Sequence, residues 1–383
     1  MNPGWNTWQL PPRTIEPRLA ASGLALAFLI WITSSCGGSA ASSGGPPPNP
    51  SFTTIDAPGA GFTSYLGTSP HAINTAGDIA GVFTDANNSS HGFVKSAAGT
   101  LTVFDAPGAG TGVNSQGTTA LGINSSGTLV GSYIDSNYVS HGFTRTKSGT
   151  FAAIDVPGSY ATLATSLNDG GAIAGEYLDT NNGAHGFVRA ADGTITPFDV
   201  PGNGVGSFIG TLPTKINTAG TVVGFFFDSG LALHGFVRAA NGALTTLDAP
   251  GAGTQSATGT EALDINASGT IAGTLYVSGA RHSFLRAPDG TYTVFDPPDT
   301  GIAGSSAFAV NDNGAVVGSY TDAMLRIHGY FRSASGAFTT IDDPNAIVHQ
   351  SGPGTVSQNL NAGGAVVGFF ADAFQAIHGY VRK

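Results

Sequence analysis

Histidine and aspartate recur together along this 383-residue chain at spacings that could support acid–base or metal chemistry. His91, His141, His185, His234, His282 and His328 each stand 14 residues ahead of an aspartate: Asp105, Asp155, Asp199, Asp248, Asp296 and Asp342. His378 ends the series with no aspartate after it, and Asp56 opens the series with no histidine before it. A further aspartate precedes six of the histidines (Asp85, Asp135, Asp179, Asp228, Asp322 and Asp372), with Val277 at that point in the fifth copy. An imidazole between two carboxylates can serve as a general base or a metal ligand. Seven near-identical copies favour another reading, because chemistry needs one constellation and scaffold needs many. The pairs, with His378 joined to Asp56, read as hydrogen-bonded staples, each contributing about 1.5–3 kcal/mol where an ion takes part. No catalytic residue, metal site or cofactor is expected.

The elements that must carry these residues follow from the same repeat. Each unit reads Asn-x-x-Gly, a short apolar run, aspartate, a bend, His-Gly-Phe, a basic residue, a glycine turn, then Phe/Ile/Leu-Asp. The runs alternate, are rich in β-branched and aromatic residues, and are separated by Gly, Asn, Asp and Pro, which predicts four short strands per unit. Asn-x-x-Gly suits a tight hairpin with glycine at positive φ. A repeat of 44 to 50 residues built of four strands predicts an all-β, seven-bladed β-propeller of four-stranded antiparallel blades over 51–383. The last unit lacks its fourth strand, and Phe52 to Asp56 is a spare one, so the N-terminal strand is expected to pair with the last blade and close the ring. The aromatic two residues after each histidine is expected in the inter-blade core. The basic residue four after it (Arg145, Arg238 and Arg332 among them) is expected in an ion pair or hydrogen bond at the rim.

This asparagine–glycine–histidine–aromatic frame, with His-Gly-Phe at 91–93 and His-Gly-Tyr at 378–380, resembles the HAF family of extracellular repeat proteins. The resemblance covers about 51–383. It implies a secreted or surface propeller-like domain and lends no catalytic assignment.

Composition narrows the function. Lys and Arg total 14 against 24 Asp and Glu, a net charge of −10 with no basic stripe, which excludes nucleic acid as partner. Charged residues are 10% of the chain, against roughly 25% in an average soluble domain. Leu19 to Ile32 is an apolar run too short for a membrane span of about 20 residues, and it fits a secretory signal. Cys36, the single cysteine, follows at once and resembles a lipoprotein acylation site, although Thr33 stands where Leu, Val or Ile is usual. Residues 1–35 are thus expected as a lipoprotein-like signal, and 36–50 as a Gly/Ser/Pro-rich tether. The chain is expected in the bacterial cell envelope, lipid-anchored or secreted, and monomeric.

Function on such a frame belongs to what breaks the repeat. The one elastic interval, between Asp-x-Pro-Gly and the next asparagine, marks one face, with Tyr65, His71, Tyr138, Tyr160, Glu261 and His349 as candidate binding residues. His71, Glu261 and His349 are read there as loop residues. A non-enzymatic repeat lipoprotein recognising a glycan or protein fits best. A propeller lyase or hydrolase acting on extracellular polysaccharide, and a structural coat protein, stay open as alternatives.

Overall fold

The computed structural model describes residues 51–383 except 64, 113–115, 205, 208, 278 and 348–353. The signal segment, the tether, Cys36 and His349 lie outside the described residues. Among the described residues every regular element is a strand, and there are 28 of them.

The described residues begin with β1 (Phe52–Ile55). An antiparallel meander follows: β2 (Gly67–Ile73), β3 (Ile79–Thr84), β4 (Ser90–Lys95) and β5 (Leu101–Phe104). The same order of inner, second, third and outer strand recurs along the chain. The final meander has only three strands of its own, Thr355–Leu360, Val366–Ala371 and Ile377–Arg382, and β1 pairs antiparallel with the last of these. Single parallel bridges link neighbouring meanders, as Ser90 to Gly117. Gly117 has φ of 118°, and a Cβ there would run into the Ser90 carbonyl, so glycine is required where the two backbones meet.

The core lies between meanders. Phe93, Phe143, Phe187, Phe236, Phe284, Tyr330 and Tyr380 are all fully buried. Each lies across from a second-strand glycine. The Phe93 ring covers Gly81, where a Cβ would sit 2.7 Å from it. Burying such a ring stabilises by about 1.5–3 kcal/mol. Where tyrosine replaces phenylalanine, a serine receives the hydroxyl: Ser283 for Tyr330 at 3.0 Å and Ser357 for Tyr380 at 2.7 Å. That pairing removes the cost of a buried unpartnered hydroxyl.

Two repeated residues do more than the local pattern foretells. The asparagine of Asn-x-x-Gly caps its own hairpin, its Oδ1 accepting the backbone N–H four residues on, as Asn74 does from Asp78. Its amide also crosses to the next unit. Nδ2 of Asn74 donates to Asn124 O, and the series runs through Asn168, Asn217, Asn266, Asn311 and Asn361, which donates back to Asn74 O, at 2.9 to 3.3 Å. At the other end of the inner strand a buried threonine accepts the backbone N–H that leaves the preceding meander. Thr68 holds Ala57 N, Thr118 holds Ala106 N and Thr260 holds Ala249 N.

Candidate functional site

The histidines stand at one end of the meanders, beside the bends and the longer connections. The strand pairing puts six of the histidines opposite an aromatic eight residues before, and these rings stack, Phe83 on His91 and Tyr133 on His141 for example, while His282 faces Leu275. Their centroids lie 4.9 to 5.2 Å apart. Nδ1 donates to the aspartate 14 residues on at 2.7 to 3.0 Å, and His378 donates to Asp56 at 2.8 Å. Nε2 of six histidines faces the bend aspartate at 3.3 to 3.8 Å. In these six, both nitrogens thus face carboxylates, which fix the ring's orientation. For His328, burial works against protonation, but the carboxylates of Asp342 and Asp322 outweigh it and raise the pKa.

The bend aspartates are occupied by their own loops. Asp85 Oδ1 accepts the N–H of Asn87 and of Ser89, and Asp228 does the same for Gly230 and Ala232. These are Asx turns, the turn-forming role that Asp-x-Asn could share with a calcium loop. Among the described residues no group of three or more His, Cys, Asp or Glu is gathered for a metal.

The basic residue meets the expectation of a hydrogen bond in one copy, Arg145 Nη1 donating to Thr146 O at 3.4 Å, and adds an aromatic partner that was not foreseen. Arg145 lies over the Phe104 ring of the preceding meander at 4.6 Å, Arg238 over Phe198 at 5.0 Å and Arg332 over Phe295 at 4.5 Å. With so few carboxylates along these strands, the guanidinium meets an aromatic face instead of forming a rim ion pair. Burial lowers the pKa of Arg145 and Arg238.

Two candidates read as loop residues lie in inner strands. His71 is in β2, at the residue where the β2–β3 register shifts, and its Nδ1 is 3.1 Å from Ala120 O of the next meander. Glu261 is in the inner strand Gly259–Ile265 and accepts a 3.0 Å hydrogen bond from the Tyr276 hydroxyl. The strands start earlier than their apolar residues suggest, because Gly-Thr at their head is held by backbone and threonine bonds rather than by greasy side chains. The tyrosines do lie in loops: Tyr65 and Tyr160 are exposed, and Tyr138 is half-buried in its bend.

The inner strands surround a cavity of about 150 Å³ lined in part by Thr165, Ser166, Thr214, Lys215, Asp264 and Asn359. Lys215 Nζ is 3.7 Å from Asp264 Oδ1, and Asp264 Oδ2 accepts Val310 N at 2.8 Å. The ring of asparagines lies at one mouth of this cavity. Large apolar side chains lie exposed at the opposite, histidine end: Phe62 at 66%, Phe374 at 75% and Ile302 at 87%, with Tyr65, Tyr160 and Leu231. The connection that carries Phe62 and Tyr65 meets the bend that carries Phe374, since Tyr65 N donates to Gln375 O at 2.8 Å. The sequence signal was partial here, as phenylalanines 62 and 374 have no counterpart in other units.

No family model matches the chain, and no curated protein sequence matches it. Solved structures do. The BP39L lectin from Burkholderia pseudomallei is similar over 84% of this chain and 96% of its own, with TM-score 0.53 and 9% identity. The fold is a β-propeller. TolB from Acinetobacter baumannii is similar at 14% identity and TM-score 0.48, over 69% of this chain, which spans only 63% of the TolB chain. A fungal lectin from Aleuria aurantia, described as a six-bladed β-propeller, gives 12% identity and TM-score 0.42 over 76% of this chain and 99% of its own.

Proposed function

We propose that this propeller has seven blades closed by its N-terminal strand, belongs to an envelope lipoprotein of the HAF type, and recognises saccharide through its histidine-end face. Blade number and closure are supported by the β1 pairing, by the His378–Asp56 bond and by the return of the asparagine series from Asn361 to Asn74. The observation that carries the binding reading is the exposure of Phe62, Tyr65 and Phe374 at the histidine end. Aromatic faces stack on the C–H surfaces of a sugar ring, and the surrounding Ser, Thr and Asn supply hydroxyl partners. A lectin uses the same fold, which is compatible with this reading.

The test is binding of the purified protein to a panel of cell-wall and extracellular polysaccharides, with turnover monitored. Binding without cleavage is expected, weakened at least tenfold in a Phe62→Ala, Phe374→Ala double variant. Cleavage would favour the lyase or hydrolase, and no binding at all would overturn the reading. For the anchor, Cys36→Ser is expected to move the protein from the membrane fraction to the soluble one. Unchanged partition would refute acylation.

A further inference from the structure

The repeat allows the scaffold to be subtracted, and what remains concentrates at the boundary between the fifth and sixth units. Glu261, Tyr276 and Arg281 lie in three adjacent strands, Tyr276 across from Arg281 and Glu261 across from Thr274. In other units Glu261's place is taken by Ser69, Thr119, Leu163 or Val356, and Arg281's by Ser90, Ala184 or Ile377. No other unit has a charged residue at any of these three positions. Tyr276 pairs with Arg281 across the strands, and its hydroxyl donates to Glu261 Oε2 at 3.0 Å. Arg281 Nε donates to Ala303 O at 3.3 Å. Ala303 belongs to Thr300–Val310, an inner strand of 11 residues where the others have 6 or 7. All three side chains are half-buried, and Ile302 beside them is 87% exposed.

The same unit has shed the scaffold's own polar fittings. Val277 replaces the bend aspartate, so the Asx turn is missing, and Leu275 lies where other units stack an aromatic on the histidine. Residues kept by the fold have thus been exchanged for a carboxyl, a phenol and a guanidinium that face one boundary.

We propose that Glu261, Tyr276 and Arg281 form a saccharide subsite at this boundary, taking a neutral sugar rather than a uronate. The proposal rests on the saccharide reading above. Guanidinium donors and a carboxylate acceptor on one side match the alternating donors and acceptors of a vicinal diol. Ile302 offers the apolar contact for the ring. A uronate is disfavoured once Glu261 is ionised, and by the chain's net charge of −10.

Titration calorimetry with the methyl glycosides of glucose, galactose, mannose and fucose, and with glucuronate and galacturonate, tests this on the full chain. Glu261→Gln, Tyr276→Phe and Arg281→Met are each expected to weaken binding of at least one neutral glycoside tenfold or more, with melting temperature kept within a few degrees. If neutral sugar binds and the three variants bind as wild type does, the subsite is wrong while the saccharide reading stands. Selective binding of the uronates overturns the ligand class. Should none of the probes or polysaccharides bind, both readings fall. Arg281→Lys adds a control: a shape-filling role would be rescued, whereas a forked donor would not.

Discussion

A chain lacking residues 51–59 is expected to melt about 10 °C or more below the full chain, or to aggregate as it is made. Those nine residues hold β1, whose four residues pair with Ile377–Arg382. They also bury Ile55 and Ala57, set Phe52 against Tyr380 at 5.5 Å, and supply the Asp56 partner of His378 and the N–H that Thr68 accepts. A buried isoleucine is worth about 1.5–3 kcal/mol. The strand's net hydrogen bonds add about 1 kcal/mol each. The sum is at least about 5 kcal/mol, and roughly 2 °C of melting temperature accompanies each in a chain of this size. Deletion also exposes the unpaired edge of the last strand, an invitation to intermolecular pairing. Calorimetry on the full chain and on variants lacking 51–59 or 37–50 checks it. Only the first deletion should matter, and an unchanged melt would refute the closure.

The second large effect is a pH dependence that one substitution should flatten. Glu176 is buried at a second-strand position held elsewhere by Val82, Ser132, Phe225, Thr274, Ser319 and Phe369. Burial alone pushes its pKa up to about 8 from 4.5. Burial also lifts Glu261 to about 7, with Tyr276 and Arg281 pulling the other way. The folded protein therefore holds protons that the unfolded chain has released, so stability falls as pH rises from about 4.5 to 8. His328 adds to this limb. Its pKa is raised, so its contribution is full below the unfolded value of 6.5 and lost as pH climbs through the folded one. The bend aspartates act oppositely. Their pKa values are lowered because hydrogen bonds from their own loops outweigh burial, and their contribution disappears as pH falls through those values. Stability is expected to peak near pH 5. Glu176→Gln should raise stability at pH 8 by about 2–4 kcal/mol, at ~1.4 kcal/mol per pKa unit and less than the full shift, and do little at pH 5. Urea titrations at pH 5, 6, 7 and 8 decide it; parallel profiles for variant and wild type would remove Glu176 as the cause.

Much of the fold was legible because the repeat prints its own strand boundaries. The spacing from asparagine to bend aspartate, and from histidine to the next aspartate, placed the second, third and outer strands and paired each histidine with its carboxylate. The inner strand was legible only in its last residues. Gly67-Thr68-Ser69-Pro70-His71 looks like loop because its order comes from backbone contact and a threonine hydroxyl rather than from apolar side chains. This error put His71 and Glu261 in loops. The asparagine series and the arginine–aromatic stacks were missed for a different reason. Both join one unit to the next, as Arg145 to Phe104, and a pattern read within a unit cannot show a partner outside it. The exposed group of Phe62, Tyr65 and Phe374 likewise comes from opposite ends of the chain.

The asparagine amides all point the same way around, each giving to the next and the last giving to the first. Such a circuit has a direction but no starting point. Ser51 and Lys383 meet between a third strand and an outer strand, where Lys383 N donates to Ser51 O at 3.2 Å. The turn at Ser96–Gly99 occupies the equivalent place in the first unit. A rearranged gene that joins 383 to 51 and begins at 100 would lead with Leu101–Phe104 in the role β1 now fills, and would cut none of the amide bonds. Where the polypeptide begins is thus interchangeable among units, while the number of amides in the circuit changes only by whole units.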